Sequence, residues 1–102
     1  MVNEPYASLL NRLVRIMEEE FGDDLVSVVL FGSVARGDNR KDSDVDLLIV
    51  VKNLPKDSTL KRIRLFEEKV EDKLNLEQYW KEGYHISLSP ILKTPEEAEK
   101  FS

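Results

Sequence analysis

The sequence predicts a two-layer α/β or α+β domain. Three observations carry this. Two long segments repeat apolar residues at helical spacing, and three short runs rich in β-branched residues lie between them and after them. Glycine, asparagine and proline stand at the junctions. The resulting order is helix, strand, turn, strand, helix, strand, short helix, which builds two packed layers around one core.

The first segment places Leu9, Leu10, Leu13, Val14, Met17 and Phe21 at steps of three and four, one face of a helix, and Gly22 supplies its stop. The run Val26-Ser27-Val28-Val29-Leu30-Phe31 is short, β-branched and closed by Gly32, so it reads as a buried strand. A brief helical turn is expected over Ser33–Gly37, then a polar loop from Asp38 to Ser43. Val45–Val51 is the second strand, ended by Asn53-Leu54-Pro55. Asp57 or Ser58 caps a second long helix whose core positions are Ile63, Phe66, Val70 and Leu74. Leu76, Tyr79 and Trp80 extend a helical stretch to Gly83. His85–Leu92 is the third strand, and Pro90 places it at an edge or a bulge, because proline cannot donate to a ladder. Thr94-Pro95-Glu96-Glu97 has the form of a capping box with proline in the first turn. Lys61, Arg62, Arg64 and Lys69, among Glu67, Glu68, Glu71 and Asp72, read as a solvated helix face. Tyr79 and Trp80 serve either the core edge or a partner surface.

Composition narrows the function classes. The 102 residues suffice for one domain, taken as 1–102, with a core small enough that a partner or self-association can matter to stability. A chain 41% hydrophobic and 34% charged is expected to be soluble and globular. The absence of cysteine removes disulfides, thiolate metal sites and a cysteine nucleophile. Met1-Val2-Asn3-Glu4-Pro5 has no export-signal character and no apolar run is long enough for a membrane, so a cytoplasmic protein is expected. A net charge of −5 disfavours long nucleic acid. Yet from Ser33 to Lys41 three cations, Arg36, Arg40 and Lys41, face only Asp38, a local balance that suits a small polyanion.

The chemistry resides in Leu30-Phe31-Gly32-Ser33-Val34-Ala35-Arg36-Gly37 and Asp42-Ser43-Asp44-Val45-Asp46-Leu47. Strand alternation points Asp44 and Asp46 to the same face. Two carboxylates so placed repel unless a cation lies between them, and a hard divalent ion such as magnesium, shared with substrate phosphates, meets that need. A strand ending in Gly32 permits a tight turn whose amides, with the Ser33 hydroxyl, can receive an anion. Either half alone is a short and common motif. Together they give Gly-Ser, ten intervening residues and Asp-x-Asp, each half at the end of its own strand.

This pattern, concentrated in residues 26–51, resembles the DNA polymerase β superfamily of nucleotidyltransferases, and in particular its minimal stand-alone members. The resemblance implies a small mixed sheet flanked by helices. It implies that Gly32 and Ser33 hold the β- and γ-phosphates of a nucleoside triphosphate, with Arg36 either binding phosphate beside them or tying the loop to Asp42 or Asp44. It implies that Asp44 and Asp46 ligate two magnesium ions while a nucleoside monophosphate, from ATP above all, passes to an acceptor hydroxyl. Members of this kind are often paired with an all-helical HEPN protein as its antitoxin, so a HEPN-type partner or a homo-oligomer is expected.

One element of the family pattern is missing. A third carboxylate normally comes from a later strand, but nothing acidic lies between Gly83 and Pro95. The corresponding position is Ser87, with His85 and Ser89 as expected same-face neighbours, and serine is a weak ligand with no capacity as a base. His85 could substitute as base, or Glu82, Glu96 or Glu97 could swing in. Two functional classes follow: a transferase completed from elsewhere, and a nucleotide-binding or regulatory module with little turnover.

Overall fold

A computed structural model describes residues 1–100 of the protein and places one strand at its centre: β2, Asp44–Val51. On one side it pairs antiparallel with β1, Leu25–Phe31, and on the other parallel with β3, Ser87–Lys93, a three-stranded mixed sheet of order β1–β2–β3. Alternation divides β2 between two environments. Val45, Leu47, Ile49 and Val51 point into the core and are essentially inaccessible, while Asp44, Asp46 and Leu48 point to the other face and reach solvent.

Helices cover the core face. Helix α1, Tyr6–Phe21, buries Tyr6, Leu9, Leu13 and Met17, and Gly22, at φ +55°, ends it with an N–H to the Glu18 carbonyl. A short 3₁₀ turn, Gly22–Asp24, leads into β1, and α2, Gly32–Arg36, follows that strand directly. Ser58 caps α3, Thr59–Phe66, by accepting the Lys61 N–H. The helix continues through a π-turn, Glu67–Glu71, into α4, Asp72–Leu74. Phe66, Val70 and Leu74 are four residues apart at each step, wider than the pitch of an α-helix, and the π-turn keeps all three on the buried face. Asn75, in the left-handed region at φ 53°, breaks the path before α5, Glu77–Lys81. Thr94 and Glu97 form the expected reciprocal capping box at the start of α6, Pro95–Glu99.

Three expectations need correction. The Val26–Phe31 run is not a buried strand: β1 lies at the sheet edge, and Val26, Val29 and Phe31 are 40–50% exposed. Its apolar composition serves one covered face only, because no helical layer lies over the other. β3 begins at Ser87 rather than His85, so His85 precedes the ladder and has no strand-imposed facing. Arg62 does not belong to the solvated face of α3 but is buried at 7% exposure. Its guanidinium donates to the carbonyls of Pro55 and Leu92 and to both carboxylate oxygens of Glu97, tying α3 to β3 and α6. The edge position inferred for β3 from Pro90 is what the sheet shows.

Candidate active site

The site lies where β1 stops and β2 starts. Gly32 leaves the strand at φ +78°, a conformation costly for any residue with a Cβ, and begins α2. The reason for glycine is also spatial: a Cβ at this position would overlap the carboxylate of Asp46. The acid and the turn are thus in direct contact. The N–H groups of Ser33 and Val34 lie in the first turn of α2, ahead of any carbonyl their own helix could offer, and no turn or cap bond among the described residues engages them. The Ser33 hydroxyl has no hydrogen-bond partner among the described residues.

Asp44 and Asp46 share the open face of β2, and the parallel register sets Ser87 opposite Asp44 and Ser89 opposite Asp46. The position inferred for the absent third carboxylate is therefore adjacent to the pair. The Ser87 hydroxyl donates to Asp44 Oδ1. Among the described residues no cluster of three or more acidic, histidine or cysteine side chains could hold a metal, so the acidic donor set is the aspartate pair alone. That set still fits magnesium, which is commonly held by one or two carboxylates while phosphate oxygens and water complete its octahedron.

The remaining candidates separate from this centre. Arg36 pairs with Asp38 at 3.2 Å on the surface, not with Asp42 or Asp44. His85 forms no hydrogen bond or ion pair among the described residues. Glu97 is committed to Arg62 and to the α6 cap, contacts that hold its carboxyl down to about 2, the Arg62 hydrogen bond being the largest cause. Glu96 lies beside Lys52 and Lys56, at the opposite end of β2 from Asp44, on the order of 25 Å away at strand rise. Neither Glu96 nor Glu97 lies near the aspartate pair, because α6 starts at the opposite end of the sheet. Glu82 caps the C-terminus of α5 and is exposed.

Sequence reasoning missed the scaffold behind the loop. Asn3 Nδ2 donates to the Gly37 carbonyl at 2.9 Å, and the buried Tyr6 gives its hydroxyl to the Arg40 carbonyl at 3.2 Å. Tyr6 meets Tyr84 edge to face, and Lys41 sits 5.3 Å from the centre of the Tyr84 ring. Gly37, at φ +81°, closes α2 where a side chain would strike the Met1 carbonyl. These contacts join positions more than thirty residues apart, and nothing in their local spacing signals them.

A Gly-Ser turn butted against a pair of strand aspartates, on a mixed sheet flanked by helices, defines the class of the polymerase β-like nucleotidyltransferases. Comparison with known proteins agrees: residues 10–102 match the nucleotidyltransferase domain family, and the chain belongs to it. Two proteins of Methanocaldococcus jannaschii, each provisionally named a protein adenylyltransferase, are 42% identical over 88 residues and 41% identical over 70 residues. The alignments cover 86% and 69% of this chain but 54% and 61% of those proteins, so the chain spans little more than half of the relatives it matches. No helix among the described residues is long and apolar enough to cross a membrane.

Proposed function

We propose that the chain transfers an adenylyl group from ATP to a hydroxyl on a protein acceptor, with magnesium held by Asp44 and Asp46. The observation that carries this reading is the contact of the Asp46 carboxylate with Gly32. It brings the metal-ligating acid and the phosphate-binding turn to one point, as a metal-bound triphosphate requires. The names of the two relatives support the adenylyl group and the protein acceptor.

In this reading the free amides of Ser33 and Val34, with the Ser33 hydroxyl, receive the β- and γ-phosphates. Magnesium, when bound, would neutralise phosphate charge and favour departure of pyrophosphate. Asp44 and Asp46 stay on a rigid central strand, so they are positioned before substrate arrives and little reorganisation remains for the reactive step. The acceptor oxygen bonds to the α-phosphorus as the bond from that phosphorus to the bridging oxygen breaks. Pyrophosphate carries off the electron pair, and the acceptor proton passes to water. Ser87, hydrogen-bonded to Asp44, orients that carboxylate without adding charge. Of the two magnesium sites the resemblance implies, the phosphate-side one would be held by the aspartate pair. The acceptor-side one has Ser87 where its third carboxylate belongs.

That substitution favours a second reading, a nucleotide-binding module that regulates a partner without turnover. In either case the resemblance to minimal members makes an all-helical HEPN-type protein the first partner to test, in a cytoplasmic toxin–antitoxin pair, with self-association as the alternative. The decisive experiment incubates the chain and that partner with magnesium and α-labelled ATP. Label on the partner that falls at least about 10³-fold in Asp46→Asn supports the transferase. Saturable ATP binding with no label on any protein selects the module.

A further inference from the structure

An in-line displacement fixes the side from which an acceptor approaches. With the leaving pyrophosphate on the Gly32–Ser33 turn, which prolongs β1, the attacking hydroxyl stands on the opposite side of the α-phosphorus. In the order β1–β2–β3 that side is β3. The first residue of β3, Ser87, donates to Asp44 and also lines a cavity of about 470 Å³ between the strand and the helices of residues 67–80. Ser87 therefore borders both the aspartate pair and the cavity.

Its lining is distinctive. Glu67, Glu71, Asp72 and Glu77 border it, no basic residue does, and none of the four has a salt-bridge partner among the described residues. Burial, then the neighbouring Glu67 and Asp72, push the Glu71 carboxyl above its ordinary value, the mark of uncompensated negative charge. The four acids do not converge on a point that could hold a metal ion. Their charge is distributed along the cavity, which suits a ligand whose positive charge is also distributed. Trp80 adds an apolar wall: its indole N–H is fixed on the Ile86 carbonyl at 2.9 Å, leaving the ring 48% exposed and available to stack on a guanidinium or ammonium group.

We propose that this cavity receives a cationic polypeptide segment, rich in lysine or arginine, and presents its hydroxyl past Ser87 to the α-phosphate. The inference rests on the transferase reading above and names its acceptor by chemistry. Long-range attraction between the acidic cavity and a basic segment would also speed their encounter and make it sensitive to salt.

Trp80 is the single tryptophan of the chain, so its fluorescence reports occupancy of the cavity. The full chain is titrated with a synthetic lysine- and arginine-rich peptide bearing one serine, and with a glutamate-rich peptide of equal length. A saturable change is expected with the basic peptide only, weakening as salt rises. The triple variant Glu67→Gln, Glu71→Gln, Asp72→Asn should weaken it at least tenfold. The reversal Glu77→Lys, at an exposed position outside the core, should weaken it in the same direction. Equal responses to both peptides, or unchanged affinity in both variants, overturn the proposal. So does a magnesium chloride titration that reproduces the change and displaces the peptide. Retention of labelled ATP is measured in parallel on the unsubstituted chain. No ATP retention refutes the transferase reading itself, whereas intact retention without a peptide response refutes only the cavity.

Discussion

The two faces of β2 use the same eight residues for opposite purposes. On the packed face Val45, Leu47, Ile49 and Val51 meet α1, the α3–α4 helix and the inner side of the neighbouring strands, and their burial stabilises the fold. On the open face Asp44 and Asp46 place two like charges on one side of the strand with no salt-bridge partner among the described residues, and like charges so placed repel. A single strand can satisfy both demands because its side chains alternate, and the cost on one face is offset by hydrophobic burial on the other. Each face also has its own polar tie. The packed side holds Arg62, which donates to two carbonyls and a carboxylate, and the open side holds the hydrogen bond from Ser87 to Asp44.

Substitutions on either face should separate these roles. After Asp46→Asn, the largest effect is expected for Gly32→Ala, which breaks the open face at its junction. A methyl group there must displace the Asp46 carboxylate and adopt a positive φ, costing roughly 1–3 kcal/mol of stability in denaturant titrations. Label transfer should fall by about 10²-fold or more, because the acid and the phosphate turn no longer meet. If transfer is unaffected, their contact is incidental.

Ser87→Asp sharpens the comparison from the other direction by restoring the carboxylate absent from β3. Three acids on one face should lower the melting temperature without metal, and magnesium should raise it more than in the parent. Transfer should increase about tenfold, the equivalent of roughly 1.4 kcal/mol. An unchanged rate with tighter magnesium binding would favour the regulatory module.

On the packed face, Arg62→Met removes the donor from the Pro55 and Leu92 carbonyls and should cost about 1–3 kcal/mol in stability. The chemical step should be unaffected in the protein that remains folded. The same variant alters acid stability. Glu97 has its carboxyl lowered in the fold from 4.5 to about 2, so its contribution is complete above pH 4.5 and is lost as pH falls toward 2. Thermal scans across that window should show a shallower acid limb in Arg62→Met than in the parent.

The smallest effect is expected for Glu71→Gln. Its carboxyl titrates above the ordinary value, mainly through burial, so the folded state prefers it protonated and the charge is unfavourable at neutral pH. The amide should raise the melting temperature slightly at pH 7. The gain should vanish at low pH, where both proteins carry a neutral group.

Much of this molecule is legible in its residues because short-range rules govern the features concerned. The stripe from Leu9 to Phe21, the Gly22 stop, a cap at Asp57 or Ser58 and the Thr94–Glu97 capping box depend on neighbours within a turn, and each appears in the structure, the cap at Ser58. Alternation likewise aligns Asp44 with Asp46 without knowledge of the fold. Arg62 is misread for the complementary reason. Its spacing among Lys61 and Arg64 is that of a surface, and only Pro55, Leu92 and Glu97, brought together by folding, make it an interior residue. The exposed side of β1 is of the same kind, since a strand's own residues do not reveal which of its faces will be covered.

By itself, the sequence determined the order of elements, their caps and the shared facing of Asp44 and Asp46, because these follow from periodicity, turn chemistry and strand alternation. The joint role of Gly32-Ser33 with the two acids came from the family resemblance. Only the tertiary structure decided that Asp46 rests on Gly32, that Ser87 faces Asp44 across a parallel ladder, and that an acidic cavity adjoins them. Those facts depend on the order and register of strands that bring together residues from fourteen (Gly32 and Asp46) to forty-three (Asp44 and Ser87) positions apart. Such pairings are selected by burial of the whole core, which no local segment can specify.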